Sequence, residues 1–312
     1  MASLAPWLAV LGSLAAASAQ ARTLEVGPGK EYKQPSAAIA AAKDGDRVAI
    51  SPGEYFDCAT TRAANLTIEG VGDASKVVLT DKACGGKGLL VIGGDKTTVR
   101  NLTLTRARVP DGNGAGIRNE APNLTVDGVL FINNQNGILS TPPSPGTVLI
   151  RNSRFERNGG CGNPGGCAHG MYVEGSSLVR VENSHFVGTK EGHHLKSRAQ
   201  RTEVVGSTLE DGPDGTASYL VDVSNGGSVL LRGNTMEKGP NAQNTSAAVV
   251  IGAEGVTQPT REITVVDNSF RNDLSKPTVF VNNLTATEAQ LRDNHFTGQV
   301  RPLSGDGSVS PK

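Results

Sequence analysis

Apolar and polar positions alternate along most of the chain, and from Thr98 onwards the alternation comes in a recurring phrase. A short alternating run ends at Asn, Gly or Asp, two residues follow, and a bulky apolar side chain closes the phrase. It reads TVRNLTL at 98–104, TVDGVLF at 125–131, VLIRNSRF at 148–155 and VRVENSHF at 179–186. It continues as TEVVGSTL at 202–209, VLLRGNTM at 229–236, ITVVDNSF at 263–270 and QLRDNHF at 290–296. Successive bulky residues are 27, 24, 31, 23, 27, 34 and 26 positions apart, and self-similarity at a near-constant period marks a solenoid. Between copies lies a second short apolar run, usually opened by Gly, as at 116–117, 137–139, 170–173 and 192–195. Further runs occupy 248–251 and 279–281. Two or three short strands per 23–34 residues leave no room for a crossover helix. The pattern therefore predicts an all-β parallel β-helix of about nine coils, a prism roughly 40 Å long at the usual strand spacing. Four-stranded propeller blades do not fit the shortest interval, and the Leu spacing of leucine-rich repeats is absent.

A solenoid exposes apolar side chains and strand edges at its ends and needs caps. The Ala-rich stretch 36–43 predicts a short N-terminal capping helix with Ser36 as N-cap, ended by Asp44-Gly45 before a strand at 46–50. The Ser-, Pro- and Gly-rich tail 302–312 reads as loose. At the other end, the apolar run from Leu4 to Ala17 closes in small residues and reads as a secretory signal peptide over 1–21. It is shorter than a membrane span needs. The expected chain is thus a signal peptide, one β-helix domain over 22–301 and a short tail, a soluble monomer that is secreted or periplasmic.

Lys plus Arg equals Asp plus Glu at 30 each, so no global field points to nucleic acid or an acidic membrane. All four cysteines, Cys58, Cys84, Cys161 and Cys167, lie in the mature part, and an even number in an exported chain favours disulfides. Cys161 and Cys167 flank a flexible loop that closes easily. Cys58 and Cys84, one repeat apart, are expected on neighbouring coils as a vertical staple. The sequons at Asn65, Asn101, Asn123, Asn244 and Asn283 follow from the repeat, and most of these asparagines are expected to fill turns.

The densest chemistry is EGHHLKSR at 191–198, with HGMYVE at 169–174 one repeat before it and SYLVDVS at 218–224 one repeat after. Strand alternation sends Tyr172 and Glu174 outward. Aligning Gly192 with Gly170 turns His193 and Leu195 inward, and His194, Lys196 and Arg198 outward. Aligning Ser218 in turn sends Leu220, Asp222 and Ser224 outward. The expected vertical neighbours are Tyr172/His194/Leu220, Glu174/Lys196/Asp222 and Ser176/Arg198/Ser224. One reading is a polymer groove with Lys196 or His194 as base and Arg198 binding a carboxylate through its planar fork. The other is a surface ladder of ion pairs that offsets repulsion between coils. A lysine base needs a lowered pKa, whereas flanking carboxylates raise it. His169 either lines the groove or packs its loop, Asn225 belongs to a turn at its rim, and His185 and His295 share one solvent-facing repeat position.

The segment AIAAAKDGDRVAISPGEY at 38–55 resembles the opening of right-handed parallel β-helix proteins of the pectate-lyase-like group, which includes alginate and chondroitin lyases. Glu191-x4-Lys196-Ser197 is similar to a stretch of the chondroitinase-B-like lyases. That resemblance implies Lys196 as the base removing the proton beside a uronate carboxylate, and Glu191 as a calcium ligand. Two positions depart from the family: Thr189 stands where a second acidic ligand is expected, and Ser224-Asn225-Gly226 where the family has Arg-His-Gly. The resulting expectation is an exported polysaccharide lyase acting on an acidic, uronate-containing polymer by β-elimination. Its substrate contacts would be His169, Tyr172, Glu174, Asp222 and Asn225. The alternative is a non-catalytic polysaccharide-binding or envelope protein. A hydrolase or an epimerase on the same fold ranks lower, because a hydrolase needs close outward aspartates and only Asp222 and the pair Asp211 and Asp214 offer themselves.

Overall fold

The computed structural model describes residues 21–310, so the expected signal peptide, except for its last residue, lies outside the described residues. The recurring phrase turns out to be a corner. Asn101, Gly128, Asn152, Asn183, Gly206, Gly233, Asp267 and Asp293 all have φ between 45° and 64°. That left-handed conformation is tolerated by Gly, Asn and Asp and resisted by other side chains, which explains the choice of residues at this position. Each corner bends the chain from a strand of one parallel sheet into a strand of the next, and the bulky residue three positions on then points into the core. One coil runs Leu124–Asp127, corner, Leu130–Ile132, loop, then Asn136–Ser140 in a third sheet. Stacking these coils gives one sheet of twelve parallel strands and two of ten. The first and last rungs lack the corner phrase, which is why the repeat marked only about nine coils.

The residue after each corner builds a second device. From the third to the last repeat a Ser or Asn side chain, buried in all but the last, accepts from the backbone N–H one coil below: Val129 N to Ser153 Oγ at 3.2 Å, Ser184 N to Ser207 Oγ at 3.1 Å and Asn234 N to Asn268 Oδ1 at 3.0 Å. Each bond answers a donor that the corner would otherwise leave orphaned in the core. Inside, Phe131, Phe155 and Phe186 stack with centroids 4.5 and 4.3 Å apart. A Cβ on Gly137 would lie 2.3 Å from the Gly170 carbonyl oxygen and 2.7 Å from the Phe155 ring, so the second residue of this third-sheet strand is Gly.

The capping helix spans Pro35–Ala41 and buries Pro35, Ala38 and Ile39 against the first coil. Ser36 is not its N-cap. Gln34 holds that position without a side-chain bond, and the Ser36 N–H donates to Asp57 Oδ2 at 2.7 Å, so a carboxylate from the next coil satisfies this helix end. The tail is not loose either: Val300–Ser304 and Gly307–Ser310 pair in parallel with Thr278–Asn283 and Ala289–Arg292, because backbone pairing extends the solenoid even where the side chains stay half-buried or exposed. Among the described residues no helix is long and apolar enough to cross a membrane.

Both expected disulfides are present. Cys58–Cys84 joins neighbouring coils beside the capped end, and Cys161–Cys167 closes a hairpin loop. A cross-link spanning 26 residues stabilises by about 3.5 kcal/mol on the loop-entropy estimate. Replacing Cys58 and Cys84 by Ser is therefore expected to lower the urea midpoint clearly, whereas replacing the Cys161–Cys167 pair, which closes only a short loop, shifts it less.

Candidate functional site

The outward face of the third sheet carries the candidate side chains, and its register differs by two residues from the one the glycines suggest. Met171, Tyr172 and Val173 pair with Leu195, Lys196 and Ser197, which pair in turn with Val221, Asp222 and Val223. Gly170 therefore stands opposite His194 rather than Gly192. Glu191 and Gly192 both take left-handed φ values, 54° and 55°, and coil two extra residues into the turn. A Cβ on Gly192 would meet the Ala168 carbonyl oxygen at 2.1 Å, so this Gly serves the turn and not the strand.

The two histidines precede the strand, which begins only at Leu195, so alternation does not govern them and their expected placements are exchanged. His194, expected outward as a candidate base, is fully buried; its Nδ1 meets Thr189 Oγ1 at 2.7 Å and its Nε2 meets Asp211 Oδ1 at 3.0 Å. Behind the strand and sealed from the groove, it cannot touch a substrate. His193, expected inward, lies on the outward face instead, stacked on His169 (4.8 Å) and tilted against Tyr219 (5.2 Å). Leu220 is also buried, contrary to the outward placement. The ladder actually formed is Tyr172/Lys196/Asp222, with Glu174 and Arg198 in the adjoining column.

Backbone amides fix the imidazoles. The His193 N–H donates to His169 Nδ1 at 3.0 Å, and the Tyr219 N–H donates to His193 Nδ1 at 3.2 Å. Each ring is thereby left with its proton on Nε2, and that of His193 faces Asp222 Oδ2 at 3.3 Å. Burial, reinforced by the Lys196 charge, pushes the His193 pKa down to about 3, and burial beside His193 holds His169 well below its usual value. Both are neutral hydrogen-bond donors at pH 7, and neither has a free lone pair with which to act as base.

The charged groups form one connected set. Lys196 Nζ lies 3.6 Å from Asp222 Oδ2, 5.5 Å from the Tyr172 ring centre, and bonds Glu254 Oε1. Arg198 donates through Nε to the Tyr172 hydroxyl at 2.7 Å, through Nη1 to Asn225 Oδ1 and through Nη2 to Glu254 Oε2. The Tyr172 hydroxyl donates to Glu174 Oε1 at 2.6 Å. Burial, with the Glu174 bond, drives the phenol pKa well above its usual value, so Tyr172 stays protonated. Burial raises the Asp222 carboxyl, and its Oδ1 is buried without a hydrogen-bond partner. Burial works the other way on Glu254, but its bonds to Lys196 and Arg198 outweigh it and keep the carboxyl ionised.

Glu254 is the residue that the repeat did not reveal. It sits in the loop Gly252-Ala-Glu-Gly255, one coil above Asn225, and its N–H donates to the Ser224 carbonyl at 2.9 Å. Asn225 Nδ2 fastens the same loop through the carbonyls of Glu254 and Gly255 at 3.3 and 3.2 Å. The available signal was a carboxylate between two glycines directly above the Ser-Asn-Gly-Gly turn.

The Glu191 carboxylate, expected as a calcium ligand, accepts from the Cys161 N–H at 2.6 Å and so fastens the disulfide loop, while the Thr189 hydroxyl bonds His194. Among the described residues no three His, Cys, Asp or Glu side chains converge as metal ligands.

Lys238, behind the Tyr219 turn, is fully buried and donates to the carbonyls of Ser218 and Ala217. Burial lowers its pKa from the usual 10.5 to about 8, opposed by Asp211. Between that value and the unfolded one, the unfolded chain binds more protons, so stability rises with pH across this window. Relative to Lys238→Met, the wild type is expected to gain about 3 kcal/mol between pH 8 and about 10.5, read from urea midpoints.

Comparison with known proteins adds three findings. A family model described as "Right handed beta helix region" matches residues 60–208 and 163–308. Among curated proteins no sequence relative matches. Among solved structures, the alginate lyase from Paenibacillus sp. str. FPU-7 superposes with a TM-score of 0.67 at 18% identity, over 92% of this chain and 99% of that one. The pectate lyase Pel9A follows with a TM-score of 0.55 at 14% identity, over 93% and 77% of the two chains. At these identities the likeness speaks to the fold alone.

Proposed function

The chain belongs to the right-handed β-helix family, and from that premise we propose that it is an exported polysaccharide lyase whose third-sheet groove cleaves a uronate-containing polymer by β-elimination. The observation that carries this reading is the grip of Lys196 and Arg198 on one carboxylate, that of Glu254, beside a phenol held in its protonated form. That carboxylate occupies the place a uronate carboxylate would take. Export is consistent with two disulfides, which persist in oxidising compartments.

Each side chain then has a role. Arg198, oriented by Tyr172 and Asn225, binds the substrate carboxylate and stabilises the negative charge that develops on it as the neighbouring carbon loses its proton. Once the substrate has displaced Glu254 and the Lys196 ammonium has released its proton to water, the Lys196 amine takes the proton from that carbon. The freed electron pair forms the carbon–carbon double bond, the bond to the glycosidic oxygen breaks, and the Tyr172 phenol donates a proton to the leaving oxygen. Lys196 ends as ammonium and Tyr172 as phenolate, and proton exchange with water resets both. A hydrolase is less well supported, because Asp222 and Glu254 are both paired with Lys196.

The test is the ultraviolet absorbance of unsaturated uronate ends when the purified mature protein is mixed with alginate, pectate, chondroitin and bacterial exopolysaccharides. A rise on one acidic polymer, with shortened chains, establishes the reading. Binding without any rise on any polymer replaces it with the binding-protein alternative, which the ion-paired Lys196 of the empty groove favours.

A further inference from the structure

We propose that Arg118 is a second carboxylate-recognition point of the same groove, contacting an acidic sugar three rungs away from the one over Lys196. The inference rests on the lyase reading for its ligand and on strand register for its geometry. Arg118 pairs with Leu139, Leu139 with Tyr172, and Tyr172 with Lys196. These four residues therefore form one outward column, and Arg118 stands about 14 Å along the solenoid axis from Lys196. An extended 1,4-linked pyranose chain advances by nearly one rung per sugar. A polymer laid along this column thus brings its third sugar from the reacting one over Arg118.

The guanidinium is unusually free for such a position. Several outward strand arginines are tied to carboxylates: Arg47 and Arg100 to Glu69, Arg180 and Arg201 to Glu203. Arg118 instead makes one weak bond, from Nη2 to Thr141 Oγ1 at 3.3 Å. Its Nε is buried without a partner. The nearest carboxylate, Glu120, lies 3.8 Å away and is held by Lys87. With its side chain only 21% exposed, Arg118 is held close to the groove floor. A small turn of that side chain would exchange an unsatisfied arrangement for a two-pronged bond to a carboxylate, the pairing that a guanidinium makes best. Leu139, buried between Arg118 and Tyr172, supplies an apolar floor for the intervening sugar.

The experiment compares wild type, Arg118→Gln and Arg118→Lys on oligouronates of two to six sugars, prepared from the polymer that the wild type cleaves or binds. Expected for Arg118→Gln is a rise in KM of about tenfold confined to oligomers long enough to span the three rungs, with kcat unchanged. Arg118→Lys, which keeps the charge without the fork, should fall between. If the wild type cleaves and Arg118→Gln matches it at every length, the subsite is wrong and the lyase reading stands. If the wild type binds without cleaving and Arg118→Gln weakens only the longer oligomers, the subsite stands and the lyase reading falls. If the wild type neither binds nor cleaves any uronate, both fall together.

Discussion

Replacing Lys196 by Met is expected to lower kcat for uronate cleavage by about a thousandfold, the middle of the range for loss of a positioned base. Polymer affinity should change far less, because Arg198 keeps its bonds to Tyr172 and Asn225 and remains able to hold a carboxylate. The substitution has a structural side effect that must be separated from the chemical one. Asp222 is buried, its Oδ1 already lacks a partner, and Lys196 is the cation beside it. Removing one partner of a buried pair costs several kcal/mol unless the other is neutralised. Since burial already pushes the Asp222 carboxyl upward, the variant should lose stability as pH rises and the carboxyl must ionise. The double variant Lys196→Met/Asp222→Asn should recover the midpoint of thermal unfolding and none of the activity. Recovery of activity in the double variant, or cleavage by the single one within tenfold of wild type, would remove Lys196 from the mechanism.

The largest expected effect on stability lies in the aromatic column. Phe155 is fully buried with one ring stacked on each side, Phe131 below and Phe186 above. Truncation to Ala opens a cavity that the neighbouring rungs cannot close, since each is held in register by its ladder bonds. A loss of about 4 kcal/mol is expected, from the usual cost of emptying a buried Phe site. Phe155→Leu should recover most of it. Denaturant unfolding distinguishes the two, and a loss below about 1 kcal/mol for the alanine variant would mean that the coils repack far more freely than the stacked geometry implies.

Much of the fold was written in the chain because its rules are local. A residue that tolerates left-handed φ followed at a fixed distance by a large apolar one defines each corner, and nothing distant alters that requirement. The groove was less legible for the opposite reason. Which of His193 and His194 faces out depends on where regular strand geometry begins after the turn at Glu191–Gly192, and it begins only at Leu195. Two glycines that look equivalent in sequence, Gly170 and Gly192, differ in that one begins a strand and the other completes a turn. Lys196 and Arg198 survive the two-residue shift because strand alternation is unchanged by it, which is also why Tyr172 becomes the neighbour of Lys196 in place of Glu174. Glu254 was hidden because its loop arrives from the following coil, and only the assembled stack shows where that loop folds. The tail misled for a related reason: Ser, Pro and Gly suggest loose chain, yet a growing sheet edge accepts almost any backbone that can offer its N–H and C=O groups.

Glu254 has one more consequence. With this carboxylate seated on Lys196 and Arg198, neither of those two cations is left bare, so on the proposed reading an arriving polymer trades places with a resident carboxylate instead of filling a void. On that reading the trade also runs in reverse: as a cut chain departs, the same side chain returns and helps to displace it. A surface arranged in this way favours rapid exchange over long residence, suiting a protein that makes many separate visits along a crowded polymer better than one that holds a single strand.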